Sequence, residues 1–405
     1  MSSLPIRRTE LVALIAMMFA TIAFSIDSML PALPEIAEAL TPDNVNAAQL
    51  ILTVFVLGMG VGTFFTGPLS DAYGRKPMVL GGAALYCVAA AIAAQAQTLE
   101  VLLAARLVQG LGAAGPRVVA LAIIRDLVSG REMARIMSFV MIVFTLVPAL
   151  APSLGALIIA FAGWRGVFGA FVLFSVISAL WMWVRLPETH PPEMRRPFRP
   201  GAIAAAAREM ASYPMVRLSI VVQALTFGMM FSMLSTVQPV YDVTFGRGDE
   251  FPFWFGAVAI CAGSASFLNA VIVVRVGMRR IVTAILAVQL AMSGTMVALS
   301  LAPLPETLYF AAFVAWQGTV FFMAGLCIGN LNALAMEPLG HIAGLAASLI
   351  GAIATVAAVL LAIPVGLMFD GTPLPLAAAM SVEAAIALIL MLQMRHMSHT
   401  VPASA

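Results

Sequence analysis

Gly67-Pro68-Leu69-Ser70-Asp71-Ala72-Tyr73-Gly74-Arg75-Lys76-Pro77 separates two long apolar runs, residues 48 to 70 and 78 to 97. It reads as a tight turn with one acid ahead of two bases. Each flanking run is about the 20 helical residues needed to cross a hydrocarbon core of roughly 30 Å. A polar hairpin between two such runs joins consecutive membrane crossings.

The rest of the chain repeats this pattern. Of its 405 residues 62% are hydrophobic and 10% charged, and its mean hydropathy is +1.03; no soluble globule needs that much apolar surface. Further runs span residues 11 to 33, 100 to 123, 136 to 161 and 166 to 186. After a break come 216 to 240, 253 to 275, 281 to 302, 307 to 335, 344 to 367 and 374 to 394. Helices are expected throughout, because an isolated run of this length satisfies its backbone internally, whereas barrel strands are shorter and alternate. The first run follows Arg7 and Arg8 but is too long for a signal peptide and ends at Pro31 and Pro34 without a cleavage site. Cys87, Cys261 and Cys327 all fall in apolar spans, so no disulfide framework is legible.

Basic residues set the expected topology. With both termini in the cytoplasm, that side receives 17 of the 21 Lys and Arg, the outer loops receive only Arg165 and Arg247, and Arg106 and Arg117 lie within the fourth span. The near-neutral net charge of +2 hides this asymmetry, and nothing in it suggests a nucleic-acid partner. The expectation is an all-α membrane protein of twelve transmembrane helices: an N-terminal six-helix bundle over 1–186, a cytoplasmic linker over 187–215 and a C-terminal bundle over 216–405. The linker carries five prolines with Arg195, Arg196 and Arg199, a composition that cannot bury a core. Residues 201 to 212 read either as a short surface helix or as a solvated tether. Gly74-Arg75-Lys76 after the second span echoes Gly277-Met278-Arg279 after the eighth, an offset of 203 residues, which suggests duplication, although Asp71 has no acidic counterpart there.

Charges inside the bilayer are the functional pointers, since each costs on the order of 3 kcal/mol unless paired or wet. Asp27 lies about six residues inside the outer end of the first span and Arg106 about six inside that of the fourth, each roughly 9 Å deep at 1.5 Å per residue. Their matched depths allow a buried, protonation-sensitive pair, or a static ion pair. Arg106, Gly110, Ala113 and Arg117 share one helix face; Arg117 either lines a channel or snorkels to the interface. Glu383, among alanines near the middle of the last span, is a possible second proton site or an acid kept neutral by burial. Met230, Met233 and Gln238 in the seventh span, with Trp316, Gln317 and Asn330 in the tenth, are the candidate lining of an adaptable substrate cavity, to which Gln109 and Arg117 belong as well. Most methionines serve equally well as packing. The four histidines, His190, His341, His396 and His399, all fall in loops or the tail. No metal cluster, nucleophile with base, or phosphate-cradling loop emerges, so neither an enzyme nor a cofactor is expected.

Residues 67 to 77 resemble signature A of the major facilitator superfamily. Ser25-Ile26-Asp27-Ser28-Met29-Leu30-Pro31-Ala32-Leu33-Pro34 is similar to the acidic first-helix signature of drug:proton antiporters. Arg106-Leu107-Val108-Gln109-Gly110-Leu111-Gly112-Ala113-Ala114 resembles signature B, and Pro148-Ala149-Leu150-Ala151-Pro152-Ser153-Leu154-Gly155 the antiporter signature C. With Ile124-Arg125-Asp126, Trp164-Arg165-Gly166-Val167-Phe168 and Gly329-Asn330 to Ala343-Gly344, these segments resemble the bicyclomycin and chloramphenicol resistance family (Bcr/CflA) over nearly the whole chain. Ala72 stands where signature A has a basic residue, and Ala151 and Ala156 replace glycines of signature C.

The resemblance implies the major facilitator fold and a proton-coupled secondary transporter, a monomer of the bacterial inner membrane, exporting small organic compounds by alternating access. Proton motive force would be its energy source, with proton, substrate and lipid as its partners. It implies proton coupling through Asp27 and Arg106, a cytoplasmic gate of Gly67, Asp71, Gly74 and Arg75, and an antiporter helix with Pro148, Pro152 and Gly155. Transport of a physiological metabolite on the same scaffold is the alternative, and a membrane enzyme or receptor a distant one.

Overall fold

The computed structural model describes residues 6–128, 130–195 and 197–396, and among them all regular structure is helical. Arg196 and His399 lie outside the described residues. α1 (Arg8–Asp27) ends in a turn and a 3-10 segment before the short α2 (Leu33–Leu40). α3 (Leu50–Tyr73), α4 (Arg75–Ala94), α5 (Leu99–Leu127) and the 56-residue α6 (Gly130–Arg185) follow. After α7 (Pro200–Ser212) come α8 (Pro214–Pro239), continued by a π-helical turn over Val240–Thr244, then α9 (Phe251–Val276) and α10 (Met278–Ser300). α11 (Glu306–Met336) and α12 (Ala343–Leu367) are joined by a 3-10 segment, and α13 (Leu374–His396) ends the described chain.

Ten helical stretches among the described residues are long and apolar enough to cross a membrane. Two of them, Leu146–Arg185 and Glu306–Leu367, hold 40 and 62 residues, about twice or more what one crossing takes. α6 breaks at Gly163, whose φ of 64° lies in the left-handed region that glycine adopts without strain. The second stretch breaks in the 3-10 segment Glu337–Ile342.

Two differences from the sequence reading concern helix ends. The turn expected over 67 to 77 is largely helix: α3 runs through Pro68 to Tyr73, and the chain reverses at the single residue Gly74, with φ 104°. Gly277, at φ 88°, makes the same one-residue break between α9 and α10. The echo at offset 203 is therefore a repeated backbone hinge. The second difference is that α1 stops at Asp27, which makes this residue the last of a regular helix rather than one six residues inside it. Residues 200 to 212 take the helical option, burying Ala206 and Met210 one turn apart and pairing Glu209 with His341 at 2.7 Å.

The chain forms two compact units. One comprises residues up to Gly201 together with Val237–Ile260, the other Ala202–Thr236 and the chain from Cys261 onward. In the first, α5 is central, packing on α3, α4 and α1, while α1 and α4 pack on α6. Small residues permit this closeness: a Cβ at Gly110 would lie 2.1 Å from the Phe55 carbonyl oxygen, and one at Gly58 2.1 Å from that of Leu107. Leu11, Leu14, Ile15, Val119, Ile123 and Val140 fill the core at one end. In the second unit α10 packs on α13 and α11, with Ala265, Ile281 and Leu326 forming a smaller core.

Adjacent glycines of α4 test this packing. A Cβ at Gly82 would approach the Gly112 carbonyl oxygen to 2.7 Å, whereas one at Gly81 meets nothing within 4 Å. Gly82→Ala should destabilise by about 1–3 kcal/mol through overpacking, and Gly81→Ala should be neutral or slightly stabilising through helix propensity, read as thermal unfolding in detergent.

Candidate functional site

Arg106 sits in the second turn of α5, a helix begun by Thr98, whose hydroxyl accepts the Val101 N–H at 3.4 Å. Its side chain is fully buried. Nε donates to the Ile51 carbonyl at 3.2 Å, Nη1 to Gln109 Oε1 at 2.7 Å and Nη2 to the Ser25 carbonyl at 3.2 Å. The guanidinium also lies 4.2 Å from the Phe55 ring centroid, with Phe168 and Phe171 at 6.0 and 5.9 Å, a geometry in which ring quadrupoles favour the cation.

Asp27 follows Ser25, a member of this cluster, by two residues and takes no part in it. The expected ion pair between Asp27 and Arg106 is absent from this structure; Arg106 instead binds the carbonyl of Ser25, two residues earlier. The physical reason is the end of α1, which leaves its last carbonyls without intrahelical partners. The Asp27 side chain is 6% exposed and, among the described residues, takes part in no hydrogen bond or ion pair.

Tyr86 of α4, which the sequence reading passed over, completes the cluster. Its hydroxyl shares a hydrogen bond with Ser25 Oγ, and Ser25 Oγ donates its one proton to the Thr21 carbonyl at 2.7 Å. Tyr86 is therefore the donor to Ser25. A tyrosine in an apolar helix gives no sequence signal of its own. Gly155 of α6 closes the other side of the α1 terminus: its Cβ position is 2.2 Å from the Ser28 carbonyl oxygen, so only glycine fits. Pro148 and Pro152 lie in the same helix.

Arg117, three turns beyond Arg106, is half-buried, and its described contact is with the Met59 sulfur at 3.9 Å. The expected cavity residues are divided between the two units. Gln109, Arg117 and Gln238 belong to the first unit, and Met230, Met233, Trp316, Gln317 and Asn330 to the second. Trp316, expected in a cavity wall, is a 1% exposed core residue whose indole N–H donates to Ser293 of α10 at 3.1 Å. Asn330 donates to Asn269 of α9 at 2.7 Å. Glu383 lies in the second unit, 7% exposed.

The expected gate residues do converge. Arg75, 4% exposed, donates to Asp71 at 2.5 Å, to Ser70 at 2.7 Å and to Asp126 of α5 at 2.9 Å. Gly67 contributes its carbonyl to the Ser70 hydroxyl at 2.8 Å. Glu188, from the segment read as a solvated linker, caps α4: its Oε1 accepts the Arg75 N–H at 2.9 Å and its Oε2 that of Lys76 at 3.1 Å. A Cβ at Gly74 would lie 2.6 Å from Glu188 Oε2. Thr189 donates to Asp126 at 3.3 Å, and Lys76 Nζ to the Trp183 carbonyl at 2.6 Å.

Arg75→Ala would leave Asp71 and Asp126 without their shared cation. A fully buried partner loss costs about 3–5 kcal/mol; with Asp71 48% exposed, about 2 kcal/mol is expected. Asp71→Asn should cost less than about 1 kcal/mol, both read from thermal unfolding.

The Major Facilitator Superfamily model matches residues 13–397. A Haemophilus influenzae protein described as a bicyclomycin resistance protein homolog is 32% identical, over 66% of this chain and 67% of that one. A Bacillus subtilis protein described as an uncharacterized MFS-type transporter is 30% identical over 94% of each chain. Among solved structures, the xylose transporter XylE from E. coli superimposes with a TM-score of 0.72 at 12% identity, over 98% of this chain and 99% of that one.

Proposed function

This chain belongs to the major facilitator superfamily and is a membrane transporter, and we propose that it exports small organic compounds from the bacterial cytoplasm in exchange for protons. Asp27 carries the reading: it is a buried acid at the end of α1 with no partner among the described residues, beside a fully buried arginine that holds the carbonyl two residues away.

In the proposed cycle a proton from outside neutralises Asp27, and Arg106 rests on the Ser25 carbonyl as in this structure. Loss of that proton creates an anion two residues along from the carbonyl to which the guanidinium is attached. The charge then competes with Ser25 for Arg106, since ionised hydrogen-bond pairs are about twice as strong as neutral ones. Tyr86 and Gln109 fix the two ends of the exchange, and the backbone contact of Gly155 on Ser28 passes a shift of the α1 terminus to α6. The cluster at Arg75 acts as a gate on the cytoplasmic side. Alternating access with twelve crossings follows if the Gly163 and 337–342 breaks each join two spans. With both termini cytoplasmic, Arg75, Lys76 and the linker then share the basic side.

The energy source is adequate. A proton moving down 100 mV releases about 2.3 kcal/mol and one pH unit adds about 1.4, enough for a concentration ratio of several hundred for a neutral substrate. The relative described by bicyclomycin resistance supports drugs as the substrate class. We propose a monomer in the inner membrane that needs no cofactor.

Asp27→Asn, close to isosteric, should keep the unfolding midpoint of the wild type yet abolish drug-triggered proton movement in everted vesicles. The same variant should return cells overproducing the protein to the drug sensitivity of empty-vector controls across a panel containing bicyclomycin and chloramphenicol. Proton movement undiminished in Asp27→Asn would refute the assignment. Transport of a metabolite with no protection against any drug would refute the drug substrate class.

A further inference from the structure

We propose that Glu383 is a second proton-binding site, within the second unit, that loads and unloads independently of Asp27; its place in a transport cycle rests on the proton-exchange reading above. Glu383 lies in the third turn of α13, a helix whose only other ionisable residues are Arg395 and His396 at its end. It is 7% exposed, and its Oε2 is buried with no hydrogen-bond partner.

Its surroundings are shaped around the carboxyl without neutralising it. On α8 the chain has Gly228 where the acid approaches: a Cβ there would lie 3.5 Å from Glu383 Oε2 and 3.3 Å from the Leu361 side chain of α12. The carboxyl thus faces the space that the missing side chain of Gly228 leaves open. One turn along the same face of α8, the Ser232 Oγ is also buried and without a hydrogen-bond partner. Ala384 and Ala387, on the acid's own helix, are fully buried.

Among the described residues no cation is paired with this carboxyl. α10, packed along α13, carries Arg279 and Arg280 only in its first turn, and α12 carries no ionisable residue. α8 has Arg217 alone, eleven positions before Gly228 and so about 16 Å along the helix. An ionised carboxylate without a cation or hydrogen bond is among the costliest groups to hold inside a protein. A proton is the ligand that removes this cost in place, because it neutralises the carboxyl without a second buried group. Ser232, able to donate or accept, offers it a neighbour along the same helix face.

The test uses purified full-length protein and needs no substrate. Proton uptake after acid pulses, followed with an indicator dye in weakly buffered detergent from about pH 9 to pH 5, should fall by one proton per chain in Glu383→Gln. It should fall by one in Asp27→Asn and by two in the double variant. Dicyclohexylcarbodiimide, which modifies protonated carboxyls in apolar surroundings, should label the Glu383 peptide of the wild type, with labelling that fades as pH rises. This second readout stands even if Glu383→Gln does not fold. Titration of Glu383→Gln identical to that of the wild type, or labelling of Glu383 constant over the whole range, would overturn the proposal by making this acid a static neutral group. If Glu383 titrates but Asp27→Asn still moves protons in vesicles, the exchange reading fails while the second site stands.

Discussion

A guanidinium carried into an apolar interior must find every acceptor for its five donors in the protein, and the arrangement around Arg106 is set by that demand. It takes one carbonyl from α1, one from α3 and a side-chain oxygen from its own helix, and covers its face with Phe55. None of these is an acid, so the cation is solvated without being neutralised. That leaves it sensitive to a negative charge appearing nearby, and Asp27 follows the carbonyl it holds by two residues.

This solvation shell depends in turn on how closely α3 approaches α5. Ile51 and Phe55 reach Arg106 because Gly58 and Gly110 let the two backbones touch, with Cβ positions only 2.1 Å from opposing carbonyl oxygens. The glycines that look like flexible points in a hydropathy plot are fixed contacts here. They trade side-chain volume for backbone proximity, which in a lipid-like setting replaces the hydrophobic drive of a water-soluble core. Gly155 does the same for α6 against Ser28.

The crossings were legible because lipid imposes a length and a polarity on each of them. Asp27, Arg106, Arg75 and Asp71 were legible because charge in such a chain is rare. What pairs with what was not, since pairing depends on helix ends. α1 stops at Asp27, freeing the Ser25 carbonyl, and hydropathy does not register that stop among Met29, Leu30 and the prolines. Tyr86 was missed for want of any charge. The depth of Trp316 along its helix says nothing about which way the ring turns, and its N–H finds Ser293 in the neighbouring helix. Glu188 was missed because its neighbours, prolines and arginines, have the composition of a tether; its two oxygens instead meet the free N–H groups that begin α4.

That cap has a practical reach. Residues 187 to 195, which look like dispensable slack between two halves, belong to the first unit and are the piece that finishes the amino end of α4. A chain severed or tagged just after Leu186 would release a half-protein lacking that finish. One divided beyond Arg195 would carry it along, so any attempt to reconstitute the molecule from two polypeptides should place the junction there.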